Sequence, residues 1–599
     1  MAFNLWQSRL IQALAGLALL LFSSANAAVN LPTIKPVLEC QQLTSVVFGK
    51  EIGADVKLSS TTQLKTAQGN FCKVSATLSP DIGVEVALPM EKWTQRMLQT
   101  GCGGLCGSIN LSLSNADGCL PAMNGEFTVA ATNMGHAGSM MDASWADDPQ
   151  KRIDFAWRAN HLTAQFTKAL INAFYGQPPR YAYFMGCSDG GREALIEAQR
   201  YPDDFNGISA GAPAAYFSVQ NSFYHGWNVV ANQREDGTFI LLEDRLPLIH
   251  QAAIEHCPTL SRVSDGILQN PFACPFSRSW VKQCQADEQD KSHCLTAEEL
   301  DVVEKMYRGA SGAQGEQFAP AGLPVGSELR WPVPASADGS SMSEMMALPA
   351  LQHVLLNGKQ NISKVADFAL DRDNFTRVVQ LAPLYNATNT NLKPFQQAGG
   401  KLLVWHGLAD DSISPAGTIA WYRGVEKFMG EASVSQFMRL FLLPGVAHCG
   451  NGEGYDQIDL LTPLMAWTEQ GLAPDKLISG KQDKAISMSA APPSVTSPSG
   501  NADQQDASVQ FHGVQKVSLP VAGAAEKVTM TRPVFPYPYI AQYNGRGDPK
   551  AAENYHPVKS SGWDNLRLAE PVASLVAPDN QRDYRVINGR LVKSEKPSQ

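Results

Sequence analysis

The chain has 599 residues, with 48 Lys and Arg against 57 Asp and Glu, for a net charge of −9, and a pI near 5.7. It has no basic stripe or Lys/Arg-rich tract, so the electrostatic footprint of nucleic-acid binding is missing. The length exceeds that of a typical single domain and predicts one large domain with an insertion, or two domains.

The N-terminus reads as an export signal. Arg9 supplies the positive end, Leu10 to Phe22 forms an apolar run, and Ala25-Asn26-Ala27 fits the small-residue cleavage rule. The mature chain then begins at Ala28, which leaves 1–27 as the signal peptide. The alternative is an uncleaved anchor, but the run falls short of the about 20 residues that span a bilayer. No later stretch is long and apolar enough to cross a membrane, and no membrane partner is expected. Export implies an oxidising compartment in which cysteines pair. Their number is 11, so at least one is free or bonded to another chain.

Several short apolar runs end in Gly-rich turns, as buried strands do. They are Phe127–Thr132, Tyr181–Met185, Gly207–Gly211, Lys401–Trp405 and Arg439–Leu443, with a helix over Arg192–Arg200. Strand, helix, strand alternation predicts an α/β fold with a mostly parallel sheet. The strand signal lapses over 216–396, where Cys257, Cys274, Cys284 and Cys294 fall at short intervals among scattered Trp and Pro. This divides the chain into a first core part at 28–215, an insertion at 216–396 placed where a lid would sit, and a second core part at 397–599. The insertion also reads as a separate binding domain. Residues 485–509 are rich in Ser, Ala, Pro and Asp and read as a flexible loop or linker.

Gly186-Cys187-Ser188-Asp189-Gly190 follows a strand and precedes a helix, the setting of a nucleophile elbow. A second Gly-x-Ser-x-Gly, centred on Ser209, runs into Gly211-Ala212-Pro213 and reads as a strand end. In this chain order the acid comes next and then the base. Asp410, the first carboxylate after the Lys401 strand, is the favoured acid and Asp411 the alternative. His448, in the turn after the Arg439 strand, is the base candidate. Its rival His406 precedes the acid and reads as a packing residue. Cys187 adjoins Ser188, and Cys449 adjoins His448. A Ser–His hydrogen bond of about 3 Å brings both turns close, and a disulfide needs Cα atoms roughly 4.4–6.8 Å apart. A Cys187–Cys449 bridge is therefore expected. The negative oxygen formed when Ser188 attacks an ester needs two N–H donors. One is Asp189, after the nucleophile. The other comes from the loop Gly101-Cys102-Gly103-Gly104-Leu105-Cys106-Gly107, with Gly101 first choice and Cys102 or Gly103 in reserve. His136, in another Gly-rich turn, is a candidate for lining the cleft.

These residues resemble the tannase and feruloyl esterase family, which includes mono(2-hydroxyethyl) terephthalate hydrolase. The resemblance rests on Cys187-Ser188-Asp189-Gly190-Gly191, on Asp410 after His406-Gly407, and on the His448-Cys449 pair. Tyr201-Pro202, Phe205-Asn206-Gly207 and the tail at Thr531-Arg532-Pro533 extend it over nearly the whole mature chain. It implies an α/β-hydrolase core with a large inserted lid. It also implies lid bridges at Cys257–Cys274 and Cys284–Cys294, and Cys40–Cys72 is a further candidate. Cys102, Cys106 and Cys119 stay unassigned.

Family members often hold a structural calcium through spaced aspartates after the first lid cysteine. Here Pro258 and Ser261 stand where the first two are expected, and Arg262 lies beside them. Only Asp265 and the carbonyls of Val263 and Ile267 remain, for an ion that takes about six to eight oxygens. No cofactor is expected. The implied activity is a secreted or periplasmic esterase acting on a small ester of an aromatic acid such as gallate or ferulate, with Ile413 facing the pocket. A terephthalate half-ester hydrolase, a peptidase or acyltransferase on the same fold, and a non-catalytic polyphenol-binding protein are the alternatives. The oligomeric state is left open.

Overall fold

A computed structural model describes residues 29–49, 52–481 and 528–594. The expected signal peptide and the 485–509 segment lie outside the described residues. Nine strands form one sheet: β1 (Val56–Thr66), β2 (Gly69–Leu78), β3 (Ile82–Pro89), β4 (Arg96–Thr100), β5 (Phe127–Thr132), β6 (Tyr181–Cys187), β7 (Gly207–Gly211), β8 (Lys401–Gly407) and β9 (Met438–Leu443). The spatial order is β1-β2-β3-β5-β4-β6-β7-β8-β9. From β5 to β9 every neighbouring pair is parallel, while β1, β2 and β3 form an antiparallel edge joined to β5.

The five strands expected from apolar runs all occur, three of them one or two residues longer. Sequence pattern points to no strand before Phe127, so β1 to β4 are additions. β4 has only two apolar residues among its five, and β1 differs from the detected strands in burial. β4, β5 and β7 are buried at every position because helices cover both faces of a parallel sheet. β1 is half-exposed along its length and rich in Ser, Thr and Lys, so it carries no apolar run to detect.

Helix α1 (Ala159–Tyr175) and helix α2 (Asp189–Arg200) pack against this sheet, and α2 starts directly after β6. Between β7 and β8 the chain adds no strand to the central sheet, in agreement with the gap in the strand signal. That stretch holds helices α3 (Leu246–His256) and α4 (Ala297–Arg308). Thr296 and Glu299 cap α4 reciprocally, which satisfies two orphan backbone donors. The stretch has its own aromatic cluster, with Phe223 packed 5.1 Å from Phe318 and 5.4 Å from Phe375 between ring centroids. Disulfides Cys257–Cys274 and Cys284–Cys294 brace it, and Cys40–Cys72 ties the N-terminal segment to β2. Helix α5 (Pro415–Met429) links β8 to β9, and helix α6 (Leu461–Gln470) follows β9. Among the described residues no helix is long and apolar enough to cross a membrane.

One buried ion pair fixes the entry to β4. Arg96 donates from Nε and Nη2 to the two Glu469 carboxylate oxygens, each at 2.7 Å. Tyr183 Oη adds a third bond to that carboxylate at 2.7 Å. Both charged side chains are almost wholly enclosed. Removing one partner strands the other charge in a dry interior. Glu469→Ala is expected to cost about 3–5 kcal/mol, read as a drop in the urea unfolding midpoint.

Candidate active site

Ser188 occupies the turn between β6 and α2 with φ 68° and ψ −123°, a region a non-Gly residue enters only under constraint. The turn is tight enough to demand its glycines. A Cβ on Gly186 would meet the Gly190 carbonyl oxygen at 2.4 Å, and one on Gly191 would meet that of Gly211 at 2.1 Å. The strain lifts the hydroxyl out of the sheet at the N-terminal end of α2.

There it meets residues from two other strand ends. His448 Nε2 lies 2.9 Å from Ser188 Oγ, and His448 Nδ1 lies 2.8 Å from Asp410 Oδ2. Asp410 is fully buried yet well satisfied. Its Oδ1 accepts from the backbone N–H groups of Ser412 and Ile413 at 2.9 and 2.8 Å, and its Oδ2 also faces His406 Nε2 at 3.1 Å. His406 Nε2 lies 3.0 Å from the Ile413 carbonyl as well. With two acceptors in front of it, that nitrogen carries the proton, and Nδ1 accepts from the Thr418 hydroxyl at 2.8 Å. The expectation that His406 packs rather than acts fits this placement.

The electrostatics follow from these contacts. Burial opposes a charge on Asp410, but His448 and the hydrogen bonds from His406 and His448 outweigh it and hold the carboxyl well below its ordinary range. Burial likewise works against the His448 imidazolium, yet the Asp410 carboxylate overcomes it and raises the pKa. Asp411 takes the other course. Burial and the Asp410 charge push it up to about 6, so it is a poorer anion than its neighbour.

The bridge Cys187–Cys449 is present, with Cα atoms 5.9 Å apart. It closes covalently over the Ser188–His448 hydrogen bond. Cys102 pairs with Cys106, and Cys119 is the free, buried cysteine.

Two expectations are corrected. Gly101 cannot offer the second N–H, because its amide is bonded to the Met185 carbonyl at 2.9 Å as the last rung between β4 and β6. The Cys102 amide faces Glu193 Oε1 at 3.3 Å. The Gly103 and Asp189 amides make no hydrogen bond among the described residues, and a Cβ on Gly103 would meet nothing within 4 Å. His136 does not line a cleft. Its ring is 2 % exposed, stacks on Trp145 at 4.2 Å and bonds the Leu105 carbonyl at 2.8 Å, so it supports the loop from below. Ile413 is buried, and its backbone N–H and C=O hold Asp410 and His406. Ser209 lies buried within β7, paired with Met185.

Sequence pattern gave no hint of the residues that brace the acid turn from the β7–β8 stretch. Tyr224 Oη donates to the Asp411 carbonyl at 3.1 Å, and Gln220 Nε2 donates to that of Ser412. His225 lies behind them and is pushed down to about 3 by burial and then by the His448 charge. No spacing or motif marks these contacts; folding alone creates them.

The calcium candidates do not fit the ion. Asp265 Oδ2 is paired with Arg532 Nη2 at 2.9 Å. The Ser261 hydroxyl and the Val263 backbone bond each other. Arg532 lies between the rings of Tyr455 and Tyr555, 4.7 and 4.5 Å from their centroids, so a guanidinium already supplies positive charge to this loop.

The strand–turn–helix elbow, the order Ser, Asp, His and the sheet define an α/β-hydrolase. The family model for tannase and feruloyl esterase matches residues 65–558, and the chain belongs to that family of carboxylic ester hydrolases. A probable feruloyl esterase B-2 of Aspergillus flavus is 30% identical over 423 residues, covering 67% of this chain and 77% of the relative. Mono(2-hydroxyethyl) terephthalate hydrolase of Piscinibacter sakaiensis is 26% identical over 569 residues, covering 84% and 87%. The crystal structure of feruloyl esterase B from Aspergillus oryzae superposes with a TM-score of 0.69 at 23% identity, covering 87% of this chain and 99% of that one.

With Arg532 already paired to Asp265, chelation with EDTA is expected to leave the thermal midpoint unchanged. Arg532→Ala is expected to lower stability by about 1–2 kcal/mol through loss of the guanidinium packed between Tyr455 and Tyr555, because the Asp265 carboxylate left behind keeps solvent contact. A midpoint that EDTA lowers and calcium restores would overturn this.

Proposed function

We propose that the protein is an exported serine esterase that cleaves esters of aromatic, phenolic acids through an acyl-enzyme. The observation that carries the reading is the unbroken relay Asp410–His448–Ser188, with contacts of 2.8 and 2.9 Å. His448 Nε2 accepts the Ser188 proton as Oγ attacks the ester carbonyl. Asp410 holds the Nδ1–H tautomer and stabilises the imidazolium that forms. The amides of Asp189 and Gly103 receive the negative oxygen. The imidazolium then protonates the departing alcohol. Water, activated by the same His448, releases the acid and restores Ser188.

Residues 216–396 serve as a lid over this site. The bonds from Gln220 and Tyr224 to the acid turn support that role. Five disulfides support an oxidising, extracytoplasmic address. The feruloyl esterase names of relatives favour hydroxycinnamate or gallate esters. The terephthalate half-ester hydrolase among them keeps that substrate as the second reading.

Initial rates on methyl ferulate, methyl gallate and the terephthalate half-ester are expected to be highest for one of the two phenolic esters. Ser188→Ala is expected to abolish all three; equal rates in mutant and wild type would favour a binding protein instead.

The pH profile tests the relay. Activity needs neutral His448, and Asp410 raises the pH at which the ring loses its proton. Asp410→Asn is therefore expected to shift the acid limb of kcat/KM to lower pH and to reduce kcat by about ten-thousand-fold. An unmoved limb would exclude Asp410 as the partner of His448.

A further inference from the structure

Helix α2 buries three carboxyl side chains one turn apart, at Asp189, Glu193 and Glu197. The proposed chemistry uses the Asp189 amide and neither glutamate. Glu193 is the one that touches the loop after β4. It is 2 % exposed. Its Oε2 accepts from Asn160 Nδ2 at 2.7 Å, and Asn160 Oδ1 in turn accepts from Gln99 Nε2 at 2.9 Å. Its Oε1 accepts from the Cys102 backbone N–H at 3.3 Å.

The other side of Cys102 is also tied to α2. Its carbonyl accepts from the Gly190 N–H at 2.7 Å. The two polar groups of one residue are thus pinned to one helix end, one through a side chain and one through the backbone. A trans peptide is planar, so the next N–H points opposite to the preceding carbonyl. The Gly103 N–H therefore points away from Gly190, and it donates to no group among the described residues. The loop lies close against the helix and only glycine fits at 101, since a Cβ there would lie 2.6 Å from Gly190 Cα and 3.0 Å from Glu193 Oε2. The Cys102–Cys106 disulfide closes the far side of the turn.

From this arrangement we infer that Glu193 is a positioning residue for the oxyanion hole: by holding the Cys102 amide it aims the Gly103 N–H at the developing negative oxygen. The inference rests on the proposed pairing of the Gly103 and Asp189 amides. The groups that face Glu193 are Asp189 and Arg192 on α2, Asn160 on α1, and the Cys102–Cys106 pair from the loop, with Glu197 one turn further along. Burial and then Asp189 push the Glu193 carboxyl pKa upward. What the loop requires of Glu193 is an acceptor oxygen at the right reach, not a charge.

That distinction makes the test. In the full chain, Glu193→Asp keeps the acid but withdraws the oxygen by one methylene, while Glu193→Gln keeps reach and an acceptor and cannot ionise. Glu193→Asp is expected to lower kcat about tenfold, less than the loss of a whole oxyanion donor, with KM little changed. It is also expected to weaken inhibition by phenylboronic acid, whose tetrahedral adduct on the serine hydroxyl places an oxygen in the hole. Glu193→Gln is expected to keep most of both. The reverse order, Gln impaired and Asp not, would assign Glu193 a charge role and overturn the inference. So would a fall in kcat with boronate affinity unchanged. Ser188→Ala, assayed alongside, separates the two levels. If it retains full activity, the serine esterase reading itself fails. If it is inactive, the Glu193 result stands by itself.

Discussion

A disulfide between the residue before Ser188 and the residue after His448 sets the geometry on which the site depends. The two turns belong to different strand ends, and 262 positions separate the cysteines in the chain. Each turn is also locally strained, since both Ser188 and Cys449 have positive φ. Strained turns persist only where their surroundings over-determine them. The covalent link meets that need at the point of contact, so the 2.9 Å bond between Ser188 and His448 does not rely on packing alone. It also removes more disorder from the unfolded chain than a short-range bridge does.

The acid side uses a different device. Asp410 is enclosed by protein, and a buried charge is tolerated only when it is paired and hydrogen-bonded. It receives two backbone N–H groups and faces two imidazole nitrogens. Asp411, one residue on, lacks that set and stays closer to neutral. Burial works against the charge on both, and the difference between these adjacent aspartates arises from which one finds hydrogen-bond donors and an imidazole partner. The loop bearing Asp265 shows the same economy, with Arg532 supplying its positive charge from the strand Met530–Val534.

The loop after β4, proposed to line the oxyanion hole, is held through backbone directions rather than charges. β4 delivers the chain to the elbow, and its last rung consumes the Gly101 amide. The next two amides therefore differ in fate although they are neighbours in sequence. One is held by Glu193 and the other is left open. His136, beneath the loop, holds the Leu105 carbonyl. The loop is in this way held from two sides by buried polar side chains that bond its backbone.

Local chemistry was enough to read much of this from residue order. Continuous apolar runs mark strands buried on both faces, and the steric demand of a sharp turn puts glycines around Ser188. The adjacency of cysteine to both Ser188 and His448 carries three-dimensional information, because a bridge and a proton relay impose the same short distance. Other features were decided only by folding. The half-exposed strand β1 carries no apolar run, and a polar edge looks like a loop when read by hydropathy. The choice among Gly101, Cys102 and Gly103 turns on which amide the sheet has already used. The bracing by Gln220, Tyr224 and Glu193 joins residues from separate elements. Pattern reports what each residue prefers around itself; it does not report which backbone group across the fold is left without a partner, and that is settled only when the strands and helices are packed together.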